Sequence, residues 1–204
     1  MNELIPFLRE AGVLVSGHVR HHNGLHGDTY LDRYALTTRY DVRDVLAAAL
    51  AIRLYEAYYK QKDVVLVGAR IHGTLMADAL LRALRAMGWV GRLTYVTRHI
   101  APGGHEWEFH LAPDGAAVMR DNTVIVVDDV ITTGQTAGRL IQLARFAGGI
   151  PAFVAVVWRR RQETQIADVP VFAAIDGELP IWDARTCPKC RAGEPFVADF
   201  TYIE

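Results

Sequence analysis

The feature that most constrains this chain is a short apolar run that ends in two acids and a threonine-rich loop. Residues 124–127 read Val-Ile-Val-Val, without the polar alternation of a half-exposed strand, which predicts a strand buried on both faces of a parallel sheet. Asp128 and Asp129 follow directly, and a helical pattern begins near Ala137. The stretch 123–136 therefore predicts a strand, a polar loop and a helix.

The loop after the two acids has the composition of an anion site. Backbone N–H groups and hydroxyls beside a helix N-terminus favour a phosphate, because the donors and the helix dipole both act on it. The carboxylates can accept hydrogen bonds from the vicinal hydroxyls of a sugar. An acid pair alone is more often only the polar end of a strand, but the acids and the loop together predict a sugar phosphate ligand.

Two other kinds of phosphate-binding protein fit the sequence poorly. A Walker B strand would need an upstream G-x-x-x-x-G-K-[ST] loop, and the sequence has none. A receiver domain would carry its acid pair after the first strand, whereas Asp128 and Asp129 lie well past mid-chain.

Residues 124–136 resemble the PRPP-binding motif of type I phosphoribosyltransferases. Within them, the sequence Val-Asp-Asp-Val-Ile-Thr-Thr-Gly is similar to the motif of orotate phosphoribosyltransferases. The resemblance implies that Asp128 and Asp129 hold the ribose hydroxyls of PRPP and are catalytic. It also implies a contiguous set of residues for the 5-phosphate: Thr132, Thr133, Gly134, Gln135 and Thr136. The fold it implies is α/β, a central, mostly parallel sheet flanked by helices, with a small hood from the N-terminal and C-terminal segments.

A second strand followed by a small-residue loop is predicted at residues 64–67. Such a loop is a weak signal by itself, because any strand-to-helix turn needs small residues for packing. In the family that the chain resembles, this loop binds the pyrophosphate of PRPP. The residues implied are Ala69, Arg70, Ile71, His72 and Gly73. Arg70 and His72 depart from the orotate enzymes, which usually carry small residues or a lysine there.

Residues 97–114 form a long polar stretch, which predicts a lid or binding loop. The resemblance implies a mobile catalytic loop here, which typically carries a lysine in the orotate enzymes and reaches into the partner subunit. This stretch has no lysine. Arg98, His99 and His105 are the catalytic substitutes that the sequence offers, and an arginine fork or a protonated histidine needs a different geometry from a lysine.

The N-terminal segment, residues 13–40, reads as short β-like pieces rich in glycine and histidine: His18, His21, His22 and His26. Histidine is a common metal ligand, but this spacing matches no standard zinc pattern, so surface or pocket histidines are favoured. The segment around residues 23–30 also resembles the hood over the base in orotate phosphoribosyltransferases. His26 and Tyr30 are therefore expected to contact the base.

Cys187 and Cys190 form a single C-x-x-C in the tail, residues 180–204. One such pair is half of a four-ligand zinc site, so zinc would need a dimer or distant histidines. A redox role fits poorly, because the pair does not start a thioredoxin-like βαβ pattern. We predict a structural tail and no metal held by the protein itself.

Size and charge favour one domain, residues 1–204, that binds small molecules. The chain is 51% hydrophobic and 22% charged, with a formal net charge of -1 and no apolar run of membrane-spanning length. No nucleic acid, no membrane and a cytoplasmic location are therefore expected. The resemblance implies a homodimer.

The predicted reaction transfers phosphoribose from PRPP to a nucleobase with Mg²⁺ held mainly through PRPP, and the resemblance makes orotate, giving orotidine 5′-monophosphate, the first choice of base. A salvage enzyme for a purine or another base is the first alternative, since the segment expected to contact the base diverges. A non-catalytic PRPP-binding regulator is the second, because the loop lacks lysine. Such a regulator would normally carry a DNA-binding element, and none is visible in the sequence.

Overall fold

The strand that carries the acid pair lies in the middle of the larger of two sheets. In this computed structural model the described residues are 3–21, 24–58, 63–69, 71–100, 107–160 and 164–201, and residues 98–100 and 107 are described by their backbone alone. The strands are β1 (Leu14–Arg20), β2 (His26–Leu31), β3 (Asp63–Ala69), β4 (Val90–Ile100), β5 (Trp107–Leu111), β6 (Thr123–Ile131), β7 (Ile150–Arg159), β8 (Gln165–Ile166), β9 (Val169–Asp176), β10 (Ile181–Trp182) and β11 (Ala198–Asp199). The helices are α1 (Leu4–Glu10), α2 (Arg33–Thr38), α3 (Tyr40–Tyr58), α4 (His72–Ala86), α5 (Pro113–Met119), α6 (Gln135–Phe146) and α7 (Pro188–Arg191).

The chain divides into two compact units. Met1–Val42 and Gly177–Glu204, the two ends of the chain, form the terminal unit, and Arg43–Asp176 forms the central unit. The sequence predicted a single domain with a hood built from both ends, and the structure groups both ends in one unit.

The central unit is built on a seven-stranded sheet in the order β5-β4-β3-β6-β7-β9-β8. The five inner strands run parallel, and β5 and β8 pair antiparallel at the two edges. Helices α4 and α6 pack against β3 and β6. The prediction of a mostly parallel α/β sheet flanked by helices is confirmed.

The apolar run before the acids is buried as predicted. Val124, Ile125, Val126 and Val127 have no exposed surface, because β6 has a parallel neighbour on each side and helices over the sheet. Burying one such aliphatic side chain stabilises a fold by about 1.5–3 kcal/mol. Burial of this run therefore fixes the position of Asp128 and Asp129, which follow it directly.

The terminal unit contains a four-stranded sheet in the order β10-β2-β1-β11. β1 and β2 form an antiparallel pair, and the tail adds a strand of two residues to each side. Phe200 of the tail forms a small apolar cluster with Val19 of β1 and Tyr30 of β2. In the described residues, strand pairing between the tail and the N-terminal hairpin therefore involves two tail residues on each side.

One prediction for the N-terminal segment needs correction. The β-like reading of residues 13–40 missed helix α2, which begins after Asp32 because that carboxylate accepts hydrogen bonds from the amides of Tyr34 and Ala35.

The predicted loop over residues 97–114 is also shorter in the structure. β4 continues to Ile100 and pairs antiparallel with β5, from Ile100 opposite Trp107 to Val96 opposite Leu111. Residues 107–111 alternate apolar and polar side chains, which is the pattern of an edge strand with one exposed face. Residues 101–106, which include His105, lie outside the described residues. Within the described part of the chain, no helix is long and apolar enough to cross a membrane.

Candidate functional site

The acid pair lies at the carboxyl end of β6, the middle strand of the seven. Asp128 and Asp129 keep only 9% and 6% of their surface exposed. The amide of Asp129 donates to Asp128 Oδ1 at 3.0 Å, and the amide of Val130 donates to Asp129 Oδ1 at 2.8 Å. Backbone amides therefore fix the orientation of both carboxylates.

The strand does not end at the acids. β6 continues to Ile131, with Asp128 opposite Val156 and Ile131 opposite Arg159, because β7 is long enough to provide backbone partners beyond the apolar run. Backbone pairing with β7 therefore continues through and past both acids, which holds their backbone in place at this end of the sheet.

The loop after β6 has the exposed hydroxyls and amides that the sequence predicted. Thr132, Thr133 and Gln135 are exposed, and the loop leads directly into α6. The amide of Gln135 donates to Thr133 Oγ1 at 3.4 Å. The first-turn amides of a helix have no partners within the helix, so this loop presents donors suited to a phosphate.

Gly134 makes the turn into α6 possible. Its φ of +76° lies in the left-handed region, where an L side chain is strained, and an added Cβ would lie 3.1 Å from Ile166 Cδ1. Its carbonyl accepts the first helical hydrogen bond, from the amide of Gly138, at 2.8 Å. The left-handed backbone conformation at position 134 therefore explains why the motif has a glycine there.

The second predicted loop reaches the same edge of the sheet. β3 lies beside β6 and parallel to it, with Gly68 opposite Val127, so both strands end on one side. A Cβ added to Gly68 would lie 2.3 Å from the carbonyl carbon of Gly73, which shows how tightly this turn closes. Thr74 Oγ1 donates to the Gly68 carbonyl at 3.2 Å across the same turn.

The residues predicted for pyrophosphate line this turn, with the exception of Arg70, which lies outside the described residues. Ala69 is buried, Ile71 is 52% exposed, and His72 is half-buried at the first position of α4. Gly73 is buried against β6. Contact with a pyrophosphate stays a prediction for each of them.

The remaining predicted residues lie on other elements. The backbones of Arg98 and His99 belong to β4, next to β3 in the sheet, and their side chains lie outside the described set. His26 and Tyr30 are both buried in the terminal unit, where Tyr30 stacks on Phe200 at 3.8 Å between ring centroids. A catalytic role for Arg98 and His99 stays a prediction, and so does contact of His26 and Tyr30 with the base.

The donor atoms near the end of β6 could bind Mg²⁺ only if a bound ligand also coordinated the ion. Carboxylate oxygens of Asp128 and Asp129 are the hard donors that Mg²⁺ prefers. In the described part of the chain, groups of three or more possible metal-binding side chains do not occur around these acids. Most of the coordination would therefore come from the ligand's own oxygens and from water.

The grouping of the two cysteines with two histidines was not predicted from the sequence. Cys187 and Cys190 lie beside His18 and His26 in the terminal unit. The C-x-x-C was visible in the sequence, but the histidines lie more than 160 positions away along the chain. Only the pairing of the tail with β1 and β2 brings the four residues together.

Comparison with known proteins agrees with the geometry of the central unit. A family model described as "Phosphoribosyl transferase domain" matches residues 43–174. The chain is 28% identical to orotate phosphoribosyltransferase of Heliobacterium modesticaldum over 196 residues, which are 96% of this chain and 95% of that protein. It is 25% identical to the orotate phosphoribosyltransferase of Thermus thermophilus over 193 residues, which are 95% of this chain and 97% of that protein.

Solved structures show the same fold. Orotate phosphoribosyltransferase from Aeropyrum pernix is similar with a TM-score of 0.63 at 20% identity, covering 85% of this chain and 93% of that chain. Adenine phosphoribosyltransferase from Saccharomyces cerevisiae has a TM-score of 0.63 at 21% identity, covering 86% of this chain and 100% of that chain. Since the family model matches well over half of the chain and the fold agrees, this protein belongs to the phosphoribosyl transferase domain family.

Proposed function

We propose that this phosphoribosyltransferase transfers the phosphoribosyl group of PRPP to orotate, giving orotidine 5′-monophosphate and pyrophosphate. The observation that carries the proposal is the arrangement at one edge of the sheet. Two oriented carboxylates lie near the carboxyl end of β6, a loop of exposed hydroxyls and amides follows this strand, and a tight glycine turn follows the neighbouring strand β3. These three features match the ribose, the 5-phosphate and the pyrophosphate of PRPP.

In this reaction the bond between the anomeric carbon and the pyrophosphate oxygen breaks, and a bond from that carbon to a ring nitrogen of orotate forms. The pyrophosphate leaves with the electron pair, and the nitrogen contributes its own pair after losing its proton. Positive charge builds on the sugar while negative charge builds on the leaving group. Fixed groups that meet both charges lower the barrier without any covalent intermediate on the protein.

The chain's own residues have distinct parts in this proposal. Asp128 and Asp129 accept hydrogen bonds from the ribose hydroxyls and place the anomeric carbon, because their carboxylates are already held by backbone amides. Residues 132–136 hold the 5-phosphate at the N-terminus of α6. The turn at residues 68–73 holds the departing pyrophosphate. Mg²⁺ bound through PRPP would offset negative charge on the pyrophosphate as it leaves.

Orotate is proposed as the base because the similarity to orotate phosphoribosyltransferases extends beyond the family match. The family model covers residues 43–174, whereas the curated orotate enzymes align over 95–96% of the chain, including most of the terminal unit. Product analysis tests this directly. Incubation with PRPP, Mg²⁺ and orotate should give orotidine 5′-monophosphate by mass spectrometry, and a purine nucleotide formed instead from a mixture of bases would contradict it.

A purine salvage activity is the second candidate. The yeast adenine enzyme reaches the same TM-score, 0.63, as the Aeropyrum orotate enzyme. Fold similarity at such identities does not discriminate between bases, so adenine belongs in the same assay. A PRPP-binding regulator is the third candidate, because residues 97–114 contain no lysine. It would bind PRPP and release no pyrophosphate with any base. Assembly as a homodimer and a cytoplasmic location stay predictions.

A further inference from the structure

A compact group of two histidines and two cysteines lies in the terminal unit. His18 belongs to β1 and His26 begins β2, while Cys187 is the N-cap of the short helix α7 and Cys190 lies within that helix. Their four ligand atoms all lie within 4.8 Å of one another. His18, His26 and Cys187 are buried and Cys190 is exposed. We call these four side chains the His/Cys cluster.

Four distances within the His/Cys cluster are close to those of a tetrahedral zinc site. Zinc at about 2.0–2.1 Å from nitrogen and about 2.3 Å from sulfur holds two nitrogens about 3.3 Å apart, and a nitrogen and a sulfur about 3.5 Å apart. His18 Nε2 lies 3.3 Å from His26 Nδ1 and 3.6 Å from both cysteine sulfurs. His26 Nδ1 lies 3.2 Å from Cys190 Sγ. We propose that His18, His26, Cys187 and Cys190 bind one zinc ion.

The surroundings of His18 orient it as a ligand. Its Nδ1 lies 2.7 Å from the carbonyl oxygen of Glu194, and because a carbonyl only accepts, Nδ1 carries the proton and donates it. The lone pair of Nε2 then points at the two cysteines. A metal-binding histidine usually donates its second ring N–H to such an outer partner, which fixes both the tautomer and the ring orientation.

Zinc binds neutral imidazole nitrogen and thiolate sulfur, the donor types that His26 and the two cysteines offer. Zinc binding would displace one proton from each thiol into solvent and leave two thiolates bound to the ion.

A full set of four protein ligands indicates a structural site. Catalytic zinc sites keep one position for water or substrate, whereas two cysteines and two histidines fill a tetrahedral shell. The ring of Phe196 lies 4.0 Å from His18 and 4.9 Å from His26 between centroids, and it covers part of the site. No substrate chemistry is therefore assigned to this ion.

The terminal unit has a physical need for such a cross-link. Units below about 70–80 residues rarely gain more than about 3–5 kcal/mol from a hydrophobic core and often add disulfides or a metal. Met1–Val42 and Gly177–Glu204 together fall in this size range, and the strands that join the tail to β1 and β2 have two residues each. Zinc would fasten the tail to the hairpin at both histidines.

The proposal gives His26 a different role from the one that the sequence suggested. Its Nδ1 would be bound to zinc, and the side chain is 5% exposed. The proposal also reverses the expectation that the protein itself holds no metal. It is independent of phosphoribosyl transfer, because all four ligands belong to the terminal unit and the acid pair belongs to the central unit.

The test measures zinc in the full-length protein. The protein is purified without a histidine tag and with a reductant, passed over a weak chelating resin, and analysed by elemental mass spectrometry. We expect one zinc ion per chain in the wild type and none in the double variant Cys187→Ser/Cys190→Ser. His110→Asn changes an exposed histidine outside the His/Cys cluster and should keep its zinc. Asp128→Asn should keep it as well.

A second measurement on the wild type avoids the risk that the cysteine variant does not fold. Zinc is removed with a chelator, and Co²⁺ is then added in an equal amount. With Co²⁺ bound, we expect a thiolate-to-cobalt charge-transfer band and the strong visible bands of tetrahedral cobalt. The zinc-free protein should have a lower melting temperature than the purified protein. Adding Zn²⁺ should restore that temperature, and adding Mg²⁺ should not. Wild type that holds no zinc after the resin and shows no such cobalt bands would overturn the proposal. A Cys187–Cys190 disulfide in freshly purified, non-reduced protein would overturn it too.

Discussion

Gly73, near the start of α4, packs directly against the backbone of Val127, the last apolar residue before the acid pair. A Cβ added to Gly73 would lie 2.9 Å from the Val127 carbonyl oxygen, closer than real Cβ atoms approach such an oxygen. The turn proposed to hold pyrophosphate and the strand proposed to hold ribose are therefore in backbone contact. A side chain at Gly73 would therefore require the start of α4 or the end of β6 to shift.

The glycines of this turn should be intolerant of alanine. Gly68→Ala would place a methyl group 2.3 Å from the backbone of Gly73, so we expect a loss of about 1–3 kcal/mol in the free energy of unfolding. Gly138→Ala in α6 is the matched control, since its Cβ would meet Ile166 at an ordinary 3.7 Å and alanine favours the helix by about 0.5–1 kcal/mol. Urea denaturation compares the two, and equal stabilities would contradict the packing described.

The two acids should matter for PRPP and not for folding. Asp128→Asn and Asp129→Asn remove a charge but keep an oxygen that accepts from the backbone amides. Losing a hydrogen bond to a charged group costs about 1.5–3 kcal/mol, so each should lower kcat/KM for PRPP roughly 10-fold to 100-fold. Asp121→Asn is the control, because its φ of 57° suits asparagine and it lies before β6. Unchanged kinetics in both acid variants would refute the ribose assignment.

Thr133 should contribute to PRPP binding through its hydroxyl. Thr133→Val keeps the shape of the exposed side chain and removes the donor, so the KM for PRPP should rise about fivefold to tenfold, equivalent to about 1 kcal/mol. The KM for the base should stay unchanged. Thr123→Val makes the same substitution at the other end of β6, where a small effect is expected. An increase confined to the KM for the base would place the phosphate elsewhere.

The stability of the fold should depend on pH through Asp41. Arg39 donates to both carboxylate oxygens of Asp41 at 2.9 and 2.7 Å, and chiefly through these hydrogen bonds lowers the pKa of Asp41 from 3.8 to about 2. Because the folded pKa is depressed, the contribution is complete above about pH 4 and is lost as the pH falls toward 2. Denaturation midpoints of wild type and Asp41→Asn should differ at pH 6 and converge near pH 2. A constant difference would contradict this assignment.

The centre of the fold was predictable because local and global signals agree there. A run of buried β-branched residues, two acids, and a hydroxyl-rich turn into a helix appear in the sequence in the order in which β6 and α6 use them. The glycine at 134 is also explained by its local backbone, a left-handed φ. A pattern that depends on neighbouring residues alone can be read from one sequence.

The His/Cys cluster was not predictable in this way. His18 and Cys190 are 172 positions apart, and strands of two residues, too short to leave a periodic pattern, bring the tail to the hairpin. The extension of β4 to Ile100 was missed for a related reason. The polar residues at the end of β4 are typical of a loop when the sequence is read alone. Only their antiparallel pairing with β5 identifies them as part of a strand.

The most direct test of the proposed function is the rate of pyrophosphate release from PRPP and Mg²⁺ with orotate and with adenine, measured side by side. The Asp128→Asn/Asp129→Asn variant supplies the background rate. Our account predicts release with orotate at a kcat/KM at least roughly 100-fold above that for adenine, as expected for a site that pairs the polar groups of its own base. A preference for adenine, or PRPP binding without pyrophosphate release on either base, would contradict it.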